Sequence, residues 1–245
     1  TRSFHVTGVQ TCALPILIGK RKGWPNQRFR PHNVPFVLLG AGLLWFGWFG
    51  FNAGSALGAN TLSAFAFVNT NTATGAALLG WLIVEKLRDG HATTLGAASG
   101  AVAGLVAITP ACGFVSPMGS IAIGFIAGIV CALAVGLKNK FKFDDALDVV
   151  GVHLVGGVLG ALSIGFFATK MTNSAGANGI FYKGDWTLLQ HQAVAVIAVV
   201  IYSFVATFIL GKVLEKTIGL RINEEAEYQG LDLSQHGETA YEVAN

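Results

Sequence analysis

The chain has 245 residues, of which 53% are hydrophobic and only 12% charged, with a formal net charge of +3 at pH 7. An ordinary soluble domain carries about 25% charged residues, so this composition excludes a soluble globular protein. A membrane helix needs about 20 successive residues with little or no charge. Lys, Arg, Asp and Glu are absent from four long windows, residues 31–84, 90–137, 149–169 and 186–211.

Residues 1–16 (TRSFHVTGVQTCALPI) are too polar to cross a bilayer, and they lack the sustained apolar core and cleavage site of a signal peptide. We therefore interpret them as a foreign or artefactual segment at the start of a fragment. Residues 17–218 are the expected membrane domain, and the polar, acidic residues 219–245 form a tail that is weakly ordered unless it docks on another surface.

Long uncharged windows divide the membrane domain into helices. Six complete spans are predicted, at residues 34–57, 60–84, 94–112, 117–137, 146–169 and 188–212. Backbone groups in lipid must bond within their own segment, and the abundant Gly, Ala and Ser allow helices to approach closely. The expected fold class is all-α, a polytopic transmembrane helical bundle.

Basic residues in the short loops set the expected orientation. Only Lys170 and Lys183 lie opposite the C-terminus, whereas thirteen lie on its side: Lys20, Arg21, Lys22, Arg28, Arg30, Lys86, Arg88, Lys138, Lys140, Lys142, Lys212, Lys216 and Arg221. Because cytoplasmic loops are enriched in Lys and Arg, we expect the C-terminus to be cytoplasmic and the protein to reside in the cell (inner) membrane. These basic residues account for the positive net charge, so no nucleic-acid partner is predicted.

An aromatic face precedes a hydroxyl in the first complete span, LLWFGWFGFNAGS. Trp48 and Phe51 are i, i+3 neighbours on a helix, and Ser55 follows Phe51 by four residues on the same face. Such a face could be an aromatic belt at the membrane interface, but Trp48 lies too deep for that. Aromatic rings followed by a hydroxyl can instead hold a cation by cation–π attraction and a hydrogen bond.

His153 is the histidine that falls within a lipid-length span, about seven residues or roughly 10 Å from its start. It could simply bond to a neighbouring helix, but ionisable groups inside membranes usually face a cavity or a partner. Glycines at 151, 156, 157 and 160 would let other helices approach. Apolar surroundings favour the neutral ring, with one donor and one acceptor, which suits a small neutral polar molecule.

Polar residues in the second span are predicted to bond between helices rather than to contact substrate. They are Asn69, Thr70, Asn71, Thr72 and Thr74.

Pro110 is expected to end the third span. Cys12, Cys112 and Cys131 show no metal-ligand spacing, so disulfides, metals and cofactors are not predicted. The spans hold no paired nucleophile and base, so an enzyme is not predicted either.

Four segments together resemble the bacterial ammonium transporter family (Amt/MEP/Rh). They are GWFGFNAGS from position 47, SGAVAGLVAITPACG from 99, DVVGVHLVGG from 148, and GLRINEEAEYQGLDLSQHGETAY from 219. The resemblance runs from about position 17 to the C-terminus. It implies an eleven-span homotrimer with one pore in each subunit, of which this chain is the C-terminal portion, about six spans.

The same resemblance implies roles for four residues. His153 corresponds to the second member of a pore histidine pair, Trp48 to the tryptophan beside that pair, Phe51 to a gating phenylalanine, and Ser55 to the hydroxyl of the outer site. NH4+ would be recruited and deprotonated at that site, and NH3 would pass a hydrophobic pore. Methylammonium is the expected analogue.

The position expected for the first pore histidine is 4, which is occupied by Phe4, and the role is not transferred to His5. The tail resembles the segment that interlocks subunits and accompanies docking of a PII-type nitrogen regulatory protein. The alternative function is a membrane ammonium sensor that signals through this cytoplasmic tail.

Overall fold

The computed structural model describes residues 17–26, 31 and 33–239. Its helices are α1 (Val34–Gly54), α2 (Thr61–Asp89), α3 (Thr94–Ile108), α4 (Pro117–Ala134), α5 (Leu137–Phe141), α6 (Val155–Phe167), α7 (Thr187–Thr217) and α8 (Glu224–Gln229). A π-helical segment, Val150–Leu154, leads directly into α6, and a second one, Asp232–His236, follows α8. A 3-10 turn spans Ile180–Tyr182. This architecture confirms the expected all-α fold class.

Every predicted span contains a helix, but the boundaries differ. Among the described residues, five segments are long and apolar enough to cross a membrane: Val34–Gly54, Thr61–Asp89, Pro117–Phe141, Val150–Phe167 and Thr187–Thr217. The predicted span at 94–112 contains α3, which has only 15 residues and ends at Ile108, with Pro110 in the turns that follow. The helices α2 and α7 continue beyond the predicted ends at 84 and 212.

Polar residues at the helix starts explain where these helices begin. Asn33 accepts a hydrogen bond from the backbone N–H of Phe36 at 3.1 Å, and Asn60 and Ser63 form a reciprocal capping box. Ser116 caps α4 immediately before Pro117. These groups satisfy N–H groups that have no partner within the helix.

The helices α2 and α4 pack closely in the core. A Cβ atom added at Gly124 would lie 2.1 Å from the carbonyl oxygen of Ala73, and one added at Gly128 would lie 2.1 Å from that of Ala77. Two glycines spaced by four residues thus bring the backbones into contact, as small residues do in membrane bundles. This confirms the expected packing role of small residues.

The helices α1 and α7 are the most open elements of the bundle. In α1 only Trp48 and Asn52 are buried, and in α7 only Ser203 and Gly211. The other described residues of the chain therefore leave most of these two apolar surfaces uncovered.

The tail contacts the bundle at one end, which we term the tail end and define by residues 19–25, 142–148 and 219–239. Arg21 donates two side-chain hydrogen bonds to Asp144, at 2.7 and 2.8 Å. The adjacent backbone N–H of Lys22 donates to Glu227 of α8 at 2.8 Å, and Arg221 also donates to Glu227. The described part of the tail is thus docked.

Candidate functional site

The inward face of α1 carries two of the predicted site residues. The rings of Trp48 and Phe51 meet edge to face with centroids 6.3 Å apart, which confirms that they are neighbours. The Trp48 indole N–H donates to the hydroxyl of Thr109 at 2.7 Å, and that hydroxyl donates to the carbonyl oxygen of Leu105 at 2.7 Å. Trp48 is therefore held against the end of α3.

A cavity of about 620 Å³ lies at the end of the bundle opposite the tail. Phe51 and Asn52 line it from α1, Ser55 lines it from the position after α1, and Thr109 lines it from the turn after α3. The Ser55 hydroxyl donates its only proton to the carbonyl oxygen of Phe51 at 2.7 Å, so toward the cavity this hydroxyl can only accept a hydrogen bond. The cavity thus combines an aromatic ring with acceptor oxygens.

One apolar wall of this cavity is formed by α6 and the π-helical segment before it, and another is formed by α7. Leu154, Gly157, Ala161 and Ile164 line the first wall at helical spacing. His153 precedes Gly157 by one turn, so it continues this stripe toward the tail end of the bundle. His153 itself is not among the described residues that line the cavity, and neither is Trp48.

The imidazole of His153 has a buried Nδ1 atom with no hydrogen-bond partner among the described residues. A buried polar atom without a partner is unusual in a folded protein and calls for an explanation such as an absent water or ligand. His153 thus has a free hydrogen-bonding position close to the apolar stripe.

The backbone around His153 corrects the predicted span at 146–169. The helical element begins at Val150, so His153 is its fourth residue and lies nearer the tail end than predicted. Asp145 caps the element by accepting from the N–H groups of Val149 and Val150, at 3.0 and 2.7 Å. Asp148 has a φ of +56°, which prevents a regular helix from starting earlier. Single π-helical turns are frequent at functional sites.

The predicted close approach at the glycines of this segment is confirmed at two positions. A Cβ atom added at Gly160 would lie 2.0 Å from the carbonyl oxygen of Ala107, and one at Gly151 would lie 2.9 Å from the backbone of Val135. Gly157 instead faces the cavity. Close packing therefore holds the π-helical segment and α6 against α3 and α4.

Asn69, Thr70 and Thr72 of α2 bond to other segments, as predicted, whereas the hydroxyl of Thr74 donates within its own helix. The Asn69 amide donates to the carbonyl oxygens of Cys112 and Val115, both at 2.8 Å, and so holds the turns after α3. The hydroxyl of Thr72 lies 2.7 Å from that of Ser120 in α4. Within the described chain, no group of three or more His, Cys, Asp or Glu residues could hold a metal ion.

Two cavity residues, Asn52 and Thr109, were not singled out by the sequence analysis. Asn52 follows Trp48 by four residues and therefore shares its helical face, which is the signal that could have found it. Thr109 precedes Pro110, but its contact with Trp48 crosses 61 residues of sequence and carries no local signal.

Known proteins resemble this chain in sequence and in fold. The sequence profile of the Ammonium Transporter Family matches residues 5–241. An ammonium transporter of Mycobacterium tuberculosis is 54% identical over 242 residues, which cover 97% of this chain and 51% of that protein. An ammonium transporter of Bacillus subtilis is 50% identical, with 97% of this chain and 59% of the relative covered.

Solved structures share the same fold. The crystal structure of Candida albicans Mep2 superposes with a TM-score of 0.83 at 34% identity, covering 90% of this chain and 51% of that one. A structure described as a sensor Amt protein superposes with a TM-score of 0.85 at 33% identity, covering 94% of this chain and 57% of that one. The chain thus spans about half the length of the relatives it matches. This sequence and its multi-pass membrane fold belong to the ammonium transporter family.

Proposed function

We propose that the complete gene product transports ammonium and ammonia across the membrane. The observation that supports this most directly is the cavity, in which Phe51 and the acceptor oxygen of Ser55 lie at one end of an apolar stripe. An ammonium ion has only N–H donors and a positive charge, so acceptor oxygens and aromatic faces suit it. A neutral molecule suits the apolar stripe beyond, because an unpaired charge there is costly.

Each predicted residue has a role in this proposal. Ser55 accepts a hydrogen bond from NH4+, Phe51 supplies aromatic surface, and Trp48 packs against Phe51. The ion gives one proton to water in the cavity before the apolar segment, and NH3 passes along the face of α6 toward His153. The imidazole of His153 lies beyond the inner end of the stripe, and its buried Nδ1 atom, which has no partner among the described residues, supports a role for this ring on the path.

Methylammonium uptake by the complete gene product tests these roles. We expect His153→Ala and Ser55→Leu each to reduce saturable uptake strongly, because each removes a hydrogen-bonding group from the proposed path. His191→Ala is a matched control, since His191 is exposed in the first turn of α7 and is not among the described cavity residues. Unchanged saturable uptake in both site variants would contradict the assignments.

A second candidate function is an ammonium sensor, which the structural similarity to a sensor Amt protein favours. A sensor would bind ammonium in the same cavity without passing it across the membrane. Binding measured by calorimetry on the purified protein, combined with flux into proteoliposomes, separates the two. Saturable binding without flux would favour the sensor, and flux that requires Ser55 would favour the transporter.

The proposal extends to assembly, orientation and regulation. The uncovered surfaces of α1 and α7 are consistent with a homotrimer in the lipid bilayer, and the basic tail end is consistent with a cytoplasmic location in the inner membrane. The tail then offers a docking face for a PII-type nitrogen regulatory protein. Native mass spectrometry tests the trimer. Deletion of residues 224–245 tests the tail, and unchanged transport and PII binding would contradict its role.

A further inference from the structure

Asn52 is a buried polar residue on the wall of the cavity, and the roles proposed above do not use it. It is only 4% exposed, yet it lines the cavity between Phe51 and Ser55 on α1. A primary amide in an apolar bundle carries two donors and one acceptor oxygen, and each needs a partner. Which way the amide points therefore determines what the cavity offers to a ligand.

Thr70 of α2 fixes the orientation of this amide. The Thr70 hydroxyl donates its only proton to the carbonyl oxygen of Ala66 at 2.6 Å, so toward Asn52 it can only accept. The Asn52 Nδ2 atom lies 2.9 Å from that hydroxyl and is its donor. The flipped amide would place two acceptors against each other. The amide oxygen of Asn52 is thus directed away from Thr70.

That oxygen has no donor among the described residues, and it is not sealed within the protein. The buried side-chain atoms of the described chain that have no partner are Trp45 Nε1, Asn69 Oδ1, His153 Nδ1 and Ser203 Oγ. Asn52 Oδ1 is not one of them, so it retains accessible surface, and the cavity is the space that Asn52 lines. The cavity therefore presents an acceptor at this position.

The neighbouring hydroxyls present acceptors as well. Ser55 gives its proton to the carbonyl oxygen of Phe51, and Thr109 gives its proton to that of Leu105. Asn52 and Ser55 thus offer oxygen lone pairs to the cavity, and the Thr109 oxygen, which already accepts from the Trp48 indole, has one lone pair left. A tetrahedral ion with four N–H donors can donate to these oxygens. The other amides that line the cavity, Asn173 and Gln192, carry N–H donors as well as acceptor oxygens.

We propose that the amide oxygen of Asn52 accepts a hydrogen bond from the ammonium ion in this cavity, as a specificity-determining partner of Ser55. The inference rests on the proposed transport function. Asn52 and Ser55 together engage two N–H groups of the ion. Methylammonium has three N–H groups and can engage both oxygens only with its methyl group turned away from them, whereas ammonium can do so in any orientation. Asn52 therefore favours ammonium over methylated amines.

Half-saturation concentrations for ammonium and methylammonium, measured on the complete gene product in proteoliposomes, test this role. We expect Asn52→Leu to raise the half-saturation concentration for ammonium about tenfold, the factor expected for one lost hydrogen bond to a charged group. The increase for methylammonium should be smaller. Thr70→Ser keeps the hydroxyl acceptor and should leave both values unchanged.

A purely structural role for Asn52 as a link between α1 and α2 predicts a different pattern. Thr70→Val breaks the same interhelical bond, so a structural role predicts equal losses of thermal stability in Asn52→Leu and Thr70→Val, with no change in half-saturation in either. If Asn52→Leu does not fold, Asn52→Asp keeps an oxygen toward the cavity but loses the donor to Thr70. We expect a lower melting temperature for this variant without a weaker half-saturation.

The outcomes also separate this inference from the proposed function. Absence of saturable ammonium flux and binding in the unmodified protein would overturn the proposed function. Normal saturable flux in the unmodified protein, with an unchanged half-saturation concentration in Asn52→Leu, would overturn the role of Asn52 alone. A tenfold weaker half-saturation in Asn52→Asp would overturn it as well.

Discussion

The hydroxyl of Thr109 shows how a single residue can position an aromatic site. A threonine that donates to the carbonyl four residues earlier has no proton left, so it becomes a fixed acceptor. Thr109 uses this arrangement to receive the indole N–H of Trp48 at 2.7 Å. This hydrogen bond fixes the indole N–H of Trp48, whose ring meets that of Phe51 edge to face.

Replacement of Thr109 by valine tests this dependence. Valine keeps the shape of threonine but removes the acceptor from a buried indole N–H, which costs roughly 1–3 kcal/mol. We expect a lower thermal midpoint for the purified Thr109→Val protein and reduced methylammonium uptake. Thr109→Ser retains the oxygen and should behave like the unmodified protein. Equal stability and uptake of the valine and serine variants would show that the hydroxyl does not position Trp48.

Residue type alone could identify part of the candidate site. His153 stands out because an ionisable side chain is conspicuous in a segment that lipid requires to be apolar. Trp48, Phe51 and Ser55 stand out because their spacing places them on one helical face. Thr109 could not be identified in this way, because threonine is common in membrane helices and its contact with Trp48 depends on the packing of α1 against α3. The roles of the four predicted residues stay predictions until transport is measured.

At the scale of elements, the membrane helices could be predicted but the start of the His153 helix could not. A lipid-length window forces a helix because the backbone must bond to itself, and that requirement is visible in the sequence. The π-helical turn at Val150–Leu154 has no such signature. It depends on how Asp145 caps the segment and on the positive φ of Asp148, and neither follows from hydrophobic periodicity.

The glycine pair of α4 supports a prediction about helix packing. A methyl group at position 128 would lie 2.1 Å from the backbone oxygen of Ala77, so Gly128→Ala must push α2 and α4 apart. We expect this variant to lose about 1–3 kcal/mol of stability, the usual range for overpacking, and to show a lower thermal midpoint.

Gly75→Ala in α2 is the matched control for this substitution. An added Cβ there meets no described atom within 4 Å. Because alanine is favoured over glycine in a helix, the control should melt at the same temperature or slightly higher. If Gly128→Ala were as stable as Gly75→Ala, the close approach of α2 and α4 would not be a determinant of the fold.

At the scale of the whole molecule, two adjacent residues connect the tail to the bundle. Arg21 bonds to Asp144, which lies 123 residues further along the chain, and Lys22 bonds to Glu227, which lies 205 residues further. Burial by itself raises the pKa of the Asp144 carboxyl. The hydrogen bonds and charge of Arg21 outweigh that effect, so the pKa lies below its ordinary value. The composition of the tail predicted only that it is weakly ordered alone, because such long-range pairs are not visible in a linear sequence.

Glu227 is the residue on which we expect tail docking to depend. It accepts from the backbone N–H of Lys22 and from the Arg221 guanidinium, and these hydrogen bonds lower its pKa below the ordinary value. A carboxyl with a lowered pKa contributes stability at every pH above its unfolded pKa and loses it only as the pH falls through the lower folded pKa. Docking should therefore be independent of pH between about 6 and 8, well above the ordinary glutamate pKa of about 4.3.

Limited trypsin digestion of the purified complete gene product between pH 6 and 8 checks this expectation. In Glu227→Gln we expect cleavage after Arg221 to be faster by about an order of magnitude, because hydrogen bonds to charged groups contribute roughly 1.5–3 kcal/mol and exposure reduces that value. The control is Glu215→Gln, which removes the exposed Lys212–Glu215 pair within α7 and should leave cleavage unchanged. Equal cleavage in the two variants, or protection of the unmodified tail that is lost between pH 8 and 6, would show that Glu227 does not hold the tail.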